Sequence, residues 1–364
     1  MKIAILGTRG IPNHYGGFEQ FAEFLSVGLV KLGHSVSVYN SANHPYKEKT
    51  FNGVDIEHIY DPENKIGTAG QFIYDFLSII NTRGKKFDII LELGYTSSSI
   101  SFDLHPKDSI VVTNMDGLEW KRTKYSSKVQ KFLQFAESLA VKKSDCLVSD
   151  SVGIKNYLHK KYEAESTYIP YGSHLFNNEN INILKSYNLE AYAYNMLIAR
   201  LEPENSIETI LDGVLKANDD VDFLVIGKHE TKFGEYLKSK YIKSRNIKFI
   251  GGIYDINILN NLRYFSKLYF HGHTVGGTNP SLLEAMASSA LICANNNEFN
   301  SAILEKDALY FLTDEDVSNI LLNTVYDENS KKIENNRNKI TELYTWQKII
   351  NQYEVLFLKL LNQK

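Results

Sequence analysis

Short apolar runs alternate with segments of helical periodicity from one end of this chain to the other, and that rhythm limits most strongly what it can fold into. "KIAIL" (2–6) stops at Gly7, a loop follows, and "FEQFAEFLSVGLVKL" (18–32) then repeats apolar residues at helical spacing up to Gly33. "SVSVY" (35–39), "FDIILEL" (87–93), "SIVVTN" (109–114) and "DCLVSD" (145–150) continue the pattern. Unbroken apolar runs linked by helices predict parallel strands covered on both faces. At "STYIPYGSH" (166–174) the pattern breaks, polar "NNENIN" follows, and a second alternation starts. Its strands are "YNMLIAR" (194–200), "DFLVIG" (222–227), "IKFIGG" (247–252), "KLYFHG" (267–272) and "ALICAN" (290–295). The fold class expected is therefore α/β, with two Rossmann-like domains at 1–170 and 171–344. The amphipathic end of the chain, 345–364, is expected to pack back on the first domain. A length of 364 residues suits two domains of ordinary size.

Composition removes several classes of function. A formal charge of −3 argues against general nucleic-acid binding. Cys146 and Cys293 sit in apolar segments and give neither a disulfide framework nor a CxxC site, which makes a reducing cytoplasm the expected location. The apolar run that ends at Gly7 is too short for a signal peptide, and no window approaches a membrane span, so any membrane contact is expected to be peripheral.

Four stretches carry candidate chemistry, each directly after a strand. In "HGHTVGGTNPSLLEAMA" (271–287), Asn279 is placed to cap a helix that begins at Pro280. Such a helix end offers unpaired N–H donors and partial positive charge, which suits phosphate. Gly276 and Gly277 allow close backbone approach, Thr278 and Ser281 add hydroxyls, and Glu284 is placed one turn in, where a carboxylate can accept from ribose hydroxyls. The alternative is an ordinary capped helix. In "ARLEPEN" (199–205), Arg200 ends a strand and can clamp a diphosphate, or else pair with Glu202 or Glu204. "GTRGIPNHYGGFEQ" (7–20) lacks the GxGxxG spacing of nicotinamide sites, yet Gly16 and Gly17 provide another close approach to a ligand. "TNMDGLEWKRTKY" (113–125) gathers Asp116, Glu119 and Trp120 before a helix rich in lysine and aromatic residues. That basic segment, 120–143, can lie on an anionic membrane surface or form a solvated face. His271 and His273 have chelating spacing, but no third ligand is evident and no metal or other cofactor is expected.

"RLEPEN", followed some 75 residues later by "GGTNPSLLEAMA", resembles the donor-binding core of glycosyltransferase family 4. "GTRGIPNHYGGFEQFAEFL", "NMDGLEWKRTKY" and "ARLEPENSIE" resemble that family's bacterial rhamnosyltransferase branch, which builds cell-surface polysaccharides. The resemblance implies a GT-B fold of two facing Rossmann-like domains with a deep interdomain cleft. It further implies a retaining hexosyltransferase that uses dTDP-L-rhamnose and a saccharide acceptor, carried on a lipid diphosphate, at the inner face of the cell membrane. By the same resemblance Arg200 binds the diphosphate, Glu284 the ribose, and Gly277, Thr278, Asn279 and Ser281 the phosphate and sugar. Ile253 falls where the family's backbone recognises the base, and Gly16 and Gly17 close over the diphosphate. Asp116, then Asp150, are the candidates for orienting or deprotonating the acceptor hydroxyl, with His14 and Glu119 on the acceptor side.

Two positions depart from the family pattern. The first glutamate of E-x7-E falls on Gly276, and the lysine that commonly follows the arginine is replaced around Asn205. The first departure suits a donor with different hydroxyls, such as a 6-deoxy sugar, and Lys228 is the candidate to replace the lost cation. The rival expectations are transfer of fucose, mannose or N-acetylglucosamine, or a sugar-nucleotide binder without activity.

Overall fold

The computed structural model describes every residue except Tyr15, Asp116, Thr123 and Lys124. The chain forms two compact units, Met1–Gly172 with Trp346–Lys364, and Ser173–Thr345. In chain order the first unit contains β1 (Lys2–Leu6), α1 (Gly17–Lys31), β2 (Ser35–Ser41), β3 (Thr50–Phe51), β4 (Val54–Ile59), α2 (Glu63–Ile66), α3 (Ala69–Thr82) and β5 (Ile89–Leu93). A 3-10 segment (Ser99–Leu104), β6 (Ile110–Asn114), a 3-10 turn (Glu119–Lys121), α4 (Ser127–Lys143), β7 (Cys146–Ser149), α5 (Val152–Tyr162) and β8 (Thr167–Tyr168) follow. The second unit contains α6 (Asn182–Lys185), β9 (Tyr194–Ile198), α7 (Ile207–Ala217), β10 (Asp222–Ile226), α8 (Lys232–Lys240), β11 (Ile247–Gly251), α9 (Ile256–Tyr264) and β12 (Leu268–His271). It continues with α10 (Pro280–Ala287), β13 (Ile292–Asn295), α11 (Glu298–Leu304), β14 (Leu309–Phe311), α12 (Asp314–Asn323) and α13 (Ser330–Leu343); α14 (Trp346–Gln363) then returns to the first unit.

The first sheet has the order β3-β4-β2-β1-β5-β6-β7-β8 and is parallel apart from the β3–β4 pair. The apolar runs became its central strands because β5 and β6 are buried at every position. The β3–β4 hairpin lay outside the sequence reading. β4 buries only Val54, Ile56 and Ile59, so it lacks a continuous apolar run. Its turn is Asn52–Gly53, with φ of 47° and 85°, a pairing that suits the twist of a two-residue hairpin.

α14 docks on α1 through rings. Phe24 stacks on Trp346 at 4.6 Å between centroids, and Phe21 meets Tyr353 edge-on at 5.4 Å. His34 and Glu354 close the contact at 2.8 Å. Each buried aromatic here contributes about 1.5–3 kcal/mol relative to solvent exposure, which is what fixes a helix that no strand follows.

The second sheet has the order β11-β10-β9-β12-β13-β14 and is parallel throughout. Leu197, Phe223, Phe270 and Phe311 bind it to the buried faces of α7 and α12. In both sheets the strand order reverses once, beside β1 and β5 in the first and beside β9 and β12 in the second. Reversal points leave a crevice at the carboxyl ends of the strands, where ligands of this architecture bind. Among the described residues no helix is long and apolar enough to cross a membrane.

Candidate functional site

In the second unit, the reversal point is framed by the loop after β9, which carries Arg200, and the loop after β12, which leads into α10. The two loops are tied together: Thr274 donates to the Glu204 carbonyl through both its backbone N–H (3.1 Å) and its hydroxyl (2.8 Å). Gly272 is required here, because a Cβ would stand 2.1 Å from the Asn205 carbonyl oxygen. Asn205 sends its amide to the Arg200 carbonyl at 2.7 Å, so the residue near the family's missing cation braces the arginine's backbone instead. The Arg200 side chain is exposed and forms no ion pair or hydrogen bond among the described residues. The surface pairing with Glu202 or Glu204 that the sequence left open is not made. Lys228 is likewise exposed without an ion pair, one strand away, after β10. Ile253, half-buried, follows β11 at the next strand end.

α10 begins as its sequence dictates. Asn279 is the cap, its side-chain oxygen accepts the Ser281 N–H at 2.9 Å, and Pro280 occupies the first turn without losing a bond. The expected donor set changes as a result. Pro280 has no N–H and that of Ser281 is used by the cap, while the N–H groups of Gly276, Gly277 and Asn279 have no internal partner among the described residues. Those three amides at a helix start are the natural anion donors. Thr278 is buried, so its side chain is less available than its position suggested. Gly276 has φ of +133° and open space where a Cβ would stand, so the position of the family's first glutamate is left clear.

Beneath this loop lies a group the sequence reading missed. Arg263 of α9 is only 1% exposed and bonds Glu284 (2.7 Å), Ser281 (3.0 Å) and Asn260 (2.8 Å). The Tyr269 hydroxyl shares the Ser281 hydroxyl at 2.9 Å, and the guanidinium lies 5.8 Å from the Tyr269 ring centre. Ser281 is thus committed to the interior rather than offered to a ligand. Glu284 keeps 18% of its side chain exposed while anchored by a buried cation. The signal was present: Arg263 falls beside Leu259 and Leu262, on the buried face of its helix. His271 is buried and stacks on His273 at 4.4 Å; burial first, then His273 and Arg263, hold its pKa well below the usual value. A buried imidazole with that electrostatic neighbourhood stays neutral. Among the described residues no group of three or more His, Cys, Asp or Glu side chains is placed to hold a metal ion.

The first unit places its candidates less uniformly. Gly16 caps α1 in extended backbone and Gly17 is its first residue, after a loop pinned by Glu19, which accepts from Thr8 (3.2 Å) and the Arg9 N–H (2.8 Å). His14 is exposed and meets the His44 ring edge-on at 4.4 Å. Glu119 is paired with Arg122 of its own turn at 2.7 Å, which leaves less of it for an acceptor. Asp150, second candidate for a base, is buried at 1% exposure near Tyr353 of α14. Asp116 lies outside the described residues.

The reversal point of the first sheet also collects acids that sequence spacing did not connect. Ser97 donates to Asp75, whose carboxyl is pushed up to about 7, chiefly by burial, with Glu92 and Asp61 adding to the rise. Between the ordinary value of 3.8 and about 7 the folded chain holds a proton that the unfolded chain has released. Stability is therefore expected to fall as pH rises through that window, by at most about 4 kcal/mol at pH 8. Urea melts at pH 5 and pH 8 capture the upper part of this window, at most about 2.6 kcal/mol, and Asp75→Asn should flatten most of the slope; an unchanged slope would assign it elsewhere.

Comparison with known proteins agrees with this architecture. Residues 1–174 match a family model described as a domain of unknown function (DUF1972). No curated protein matches the chain. Over 100% of both chains it is similar to sucrose-phosphate synthase (tll1590) from Thermosynechococcus elongatus, with a TM-score of 0.80 at 17% identity. The structure of Anabaena Alr3699/HepE in complex with UDP-glucose is similar over 100% of both chains, with a TM-score of 0.74 at 14% identity. WaaG, a glycosyltransferase involved in lipopolysaccharide biosynthesis, is similar over 96% of this chain and 98% of its own, with a TM-score of 0.69 at 14% identity. Identities this low speak to architecture alone. With its two Rossmann-like parallel-sheet domains, the chain has the GT-B fold.

Proposed function

We propose that the protein is a retaining glycosyltransferase that moves L-rhamnose from dTDP-L-rhamnose to a saccharide acceptor on a lipid diphosphate, in cell-surface polysaccharide synthesis. The observation that carries the reading is the presence, on two loops bonded to each other, of an exposed Arg200 and the amides of Gly276, Gly277 and Asn279, none of which has a partner among the described residues. A guanidinium and a helix start at one reversal point suit a diphosphate, and neither group has another partner among the described residues. The fold neighbours support a nucleotide-sugar donor, since HepE was crystallised with UDP-glucose.

In this reading the leaving nucleoside diphosphate gains negative charge as the glycosidic bond breaks, and fixed donors stabilise it most when that charge is greatest. Arg200 supplies two parallel N–H bonds and the amides supply the rest; Lys228 adds a nearby cation in place of the one lost at Asn205. Glu284 holds the nucleoside sugar, and Ile253 lies by the base. The open space at Gly276 fits a donor without the hydroxyl that the family's glutamate contacts. An oxygen of the departing phosphate takes the acceptor proton, so the chain needs no nucleophile, and Asp116 is assigned to orient the acceptor. The reaction is placed in the cytoplasm, at the inner face of the membrane that presents the acceptor.

A product-release assay across dTDP-rhamnose, GDP-fucose, GDP-mannose, UDP-glucose and UDP-N-acetylglucosamine tests the reading. Turnover of dTDP-rhamnose is expected with a lipid-linked saccharide acceptor. Turnover of another donor alone removes the rhamnose assignment, and nucleotide binding with no turnover of any donor makes the chain a binding subunit.

A further inference from the structure

The second unit carries an exposed aromatic side chain at a strand end that the proposed site does not yet use. Tyr254 lies three residues beyond β11, is 80% exposed, and has no hydrogen bond or ring contact among the described residues. Its ring lies over Gly252, where a Cβ would stand 3.2 Å from it. Gly251 has φ of +90°, and a Cβ there would meet the His229 ring at 3.6 Å. His229 follows β10, and its side chain keeps 17% exposure. The two glycines thus leave a bare strip of backbone flanked by His229 and Tyr254. The strip is held at both ends. The Gly227 N–H donates to the Gly251 carbonyl at 2.9 Å, and Asp255 caps α9 by accepting the Asn257 and Ile258 N–H groups at 2.8 and 3.2 Å. β11 stands two strands from β9, whose loop carries Arg200, so the two loops start about 10 Å apart. Exposed Lys228 follows the strand between them.

We propose that Tyr254 is the nucleobase shelf of the donor site: the base lies on its ring, and Gly251 and Gly252 clear the approach. The inference rests on the donor reading above and adds a side chain to it, since Ile253 enters that reading through its backbone alone. An extended nucleoside diphosphate covers the span from this strip to Arg200, with the base at one end and the phosphates at the other. A phenol ring offers its face to any base, so the shelf supplies affinity rather than a choice between thymine and uracil. A loop fixed on both sides of the ring loses little freedom when a ligand stacks there.

Isothermal titration calorimetry of the full-length protein with dTDP, UDP, GDP and inorganic pyrophosphate tests this. For whichever nucleotide the unaltered protein binds most tightly, Tyr254→Ala should raise Kd roughly 5–150-fold. Tyr254→Phe keeps the ring and should stay within about twofold. Pyrophosphate has no base, so its Kd should be the same in all three proteins. The melting temperature should also hold, because the altered side chain is exposed. An unchanged nucleotide Kd in Tyr254→Ala would overturn the shelf and leave the donor site standing. Equal weakening of nucleotide and pyrophosphate would overturn it too, since the residue would then act on the phosphates or the loop. Failure of the unaltered protein to bind any of the three nucleotides would remove the donor reading and the shelf together.

Discussion

Replacement of Arg200 by alanine is expected to lower kcat/KM for the nucleotide-sugar donor by roughly 10²–10³-fold while moving folding stability by less than about 0.5 kcal/mol. The two halves of that expectation come from one observation. The side chain is exposed and bonded to nothing described, so the folded state loses no contact when it is removed. Its backbone, by contrast, is fixed from both sides. The Asn205 amide holds the Arg200 carbonyl at 2.7 Å, and Gly272 packs against Asn205 in space too small for a Cβ. The backbone that carries this charge is therefore held before any ligand arrives, and the guanidinium, with no partner among the described residues, is available to an external one. Arg200→Lys keeps the charge but not the planar fork, so an intermediate loss of about tenfold is expected. Steady-state kinetics with a thermal melt on each variant check both halves. A melting transition that falls with activity would make Arg200 a structural residue.

Glu284 is expected to behave in the opposite way, with function and stability falling together. Among the described residues its carboxylate is the only acid bonded to Arg263, which is itself 1% exposed. Glu284→Ala leaves that guanidinium buried without a counter-charge, an uncompensated state that costs about 3–5 kcal/mol. Glu284→Gln keeps an oxygen for Arg263 to bond and should cost less, while still weakening donor binding. Loss of stability at this position therefore does not by itself argue against a ligand role, because the same carboxylate serves both. The double variant Arg263→Met with Glu284→Leu separates the two. Replacing a buried pair with apolar groups of similar volume is often neutral or better for stability, so the melt should recover while donor affinity stays lost. Recovery of both would remove Glu284 from the site.

These contrasts also mark where the sequence was legible. The doubly wound sheets were readable because strands such as β5 and β6 are buried on both faces and need unbroken apolar runs. The start of α10 was readable because an Asn-Pro cap is written in consecutive residues. β4 was not read because a half-buried strand alternates, and its Asn52–Gly53 turn went unused as a signal. The Arg263–Glu284 pair could not be read from spacing, since 21 residues and a strand separate its partners. The gathering of Asp61, Asp75 and Glu92 has the same origin: strand order, not sequence order, makes them neighbours. Capping is local information and survives in the sequence, whereas charge pairing across a sheet is created by topology.

The measurement on which most depends is a crystal structure of the protein with dTDP. The diphosphate should lie within hydrogen-bond distance of the Gly276, Gly277 and Asn279 amides, with the Arg200 guanidinium on its oxygens and Glu284 at the nucleoside sugar. A nucleotide bound elsewhere, with those amides and Arg200 facing only water, would contradict the assignment of this crevice as the donor site.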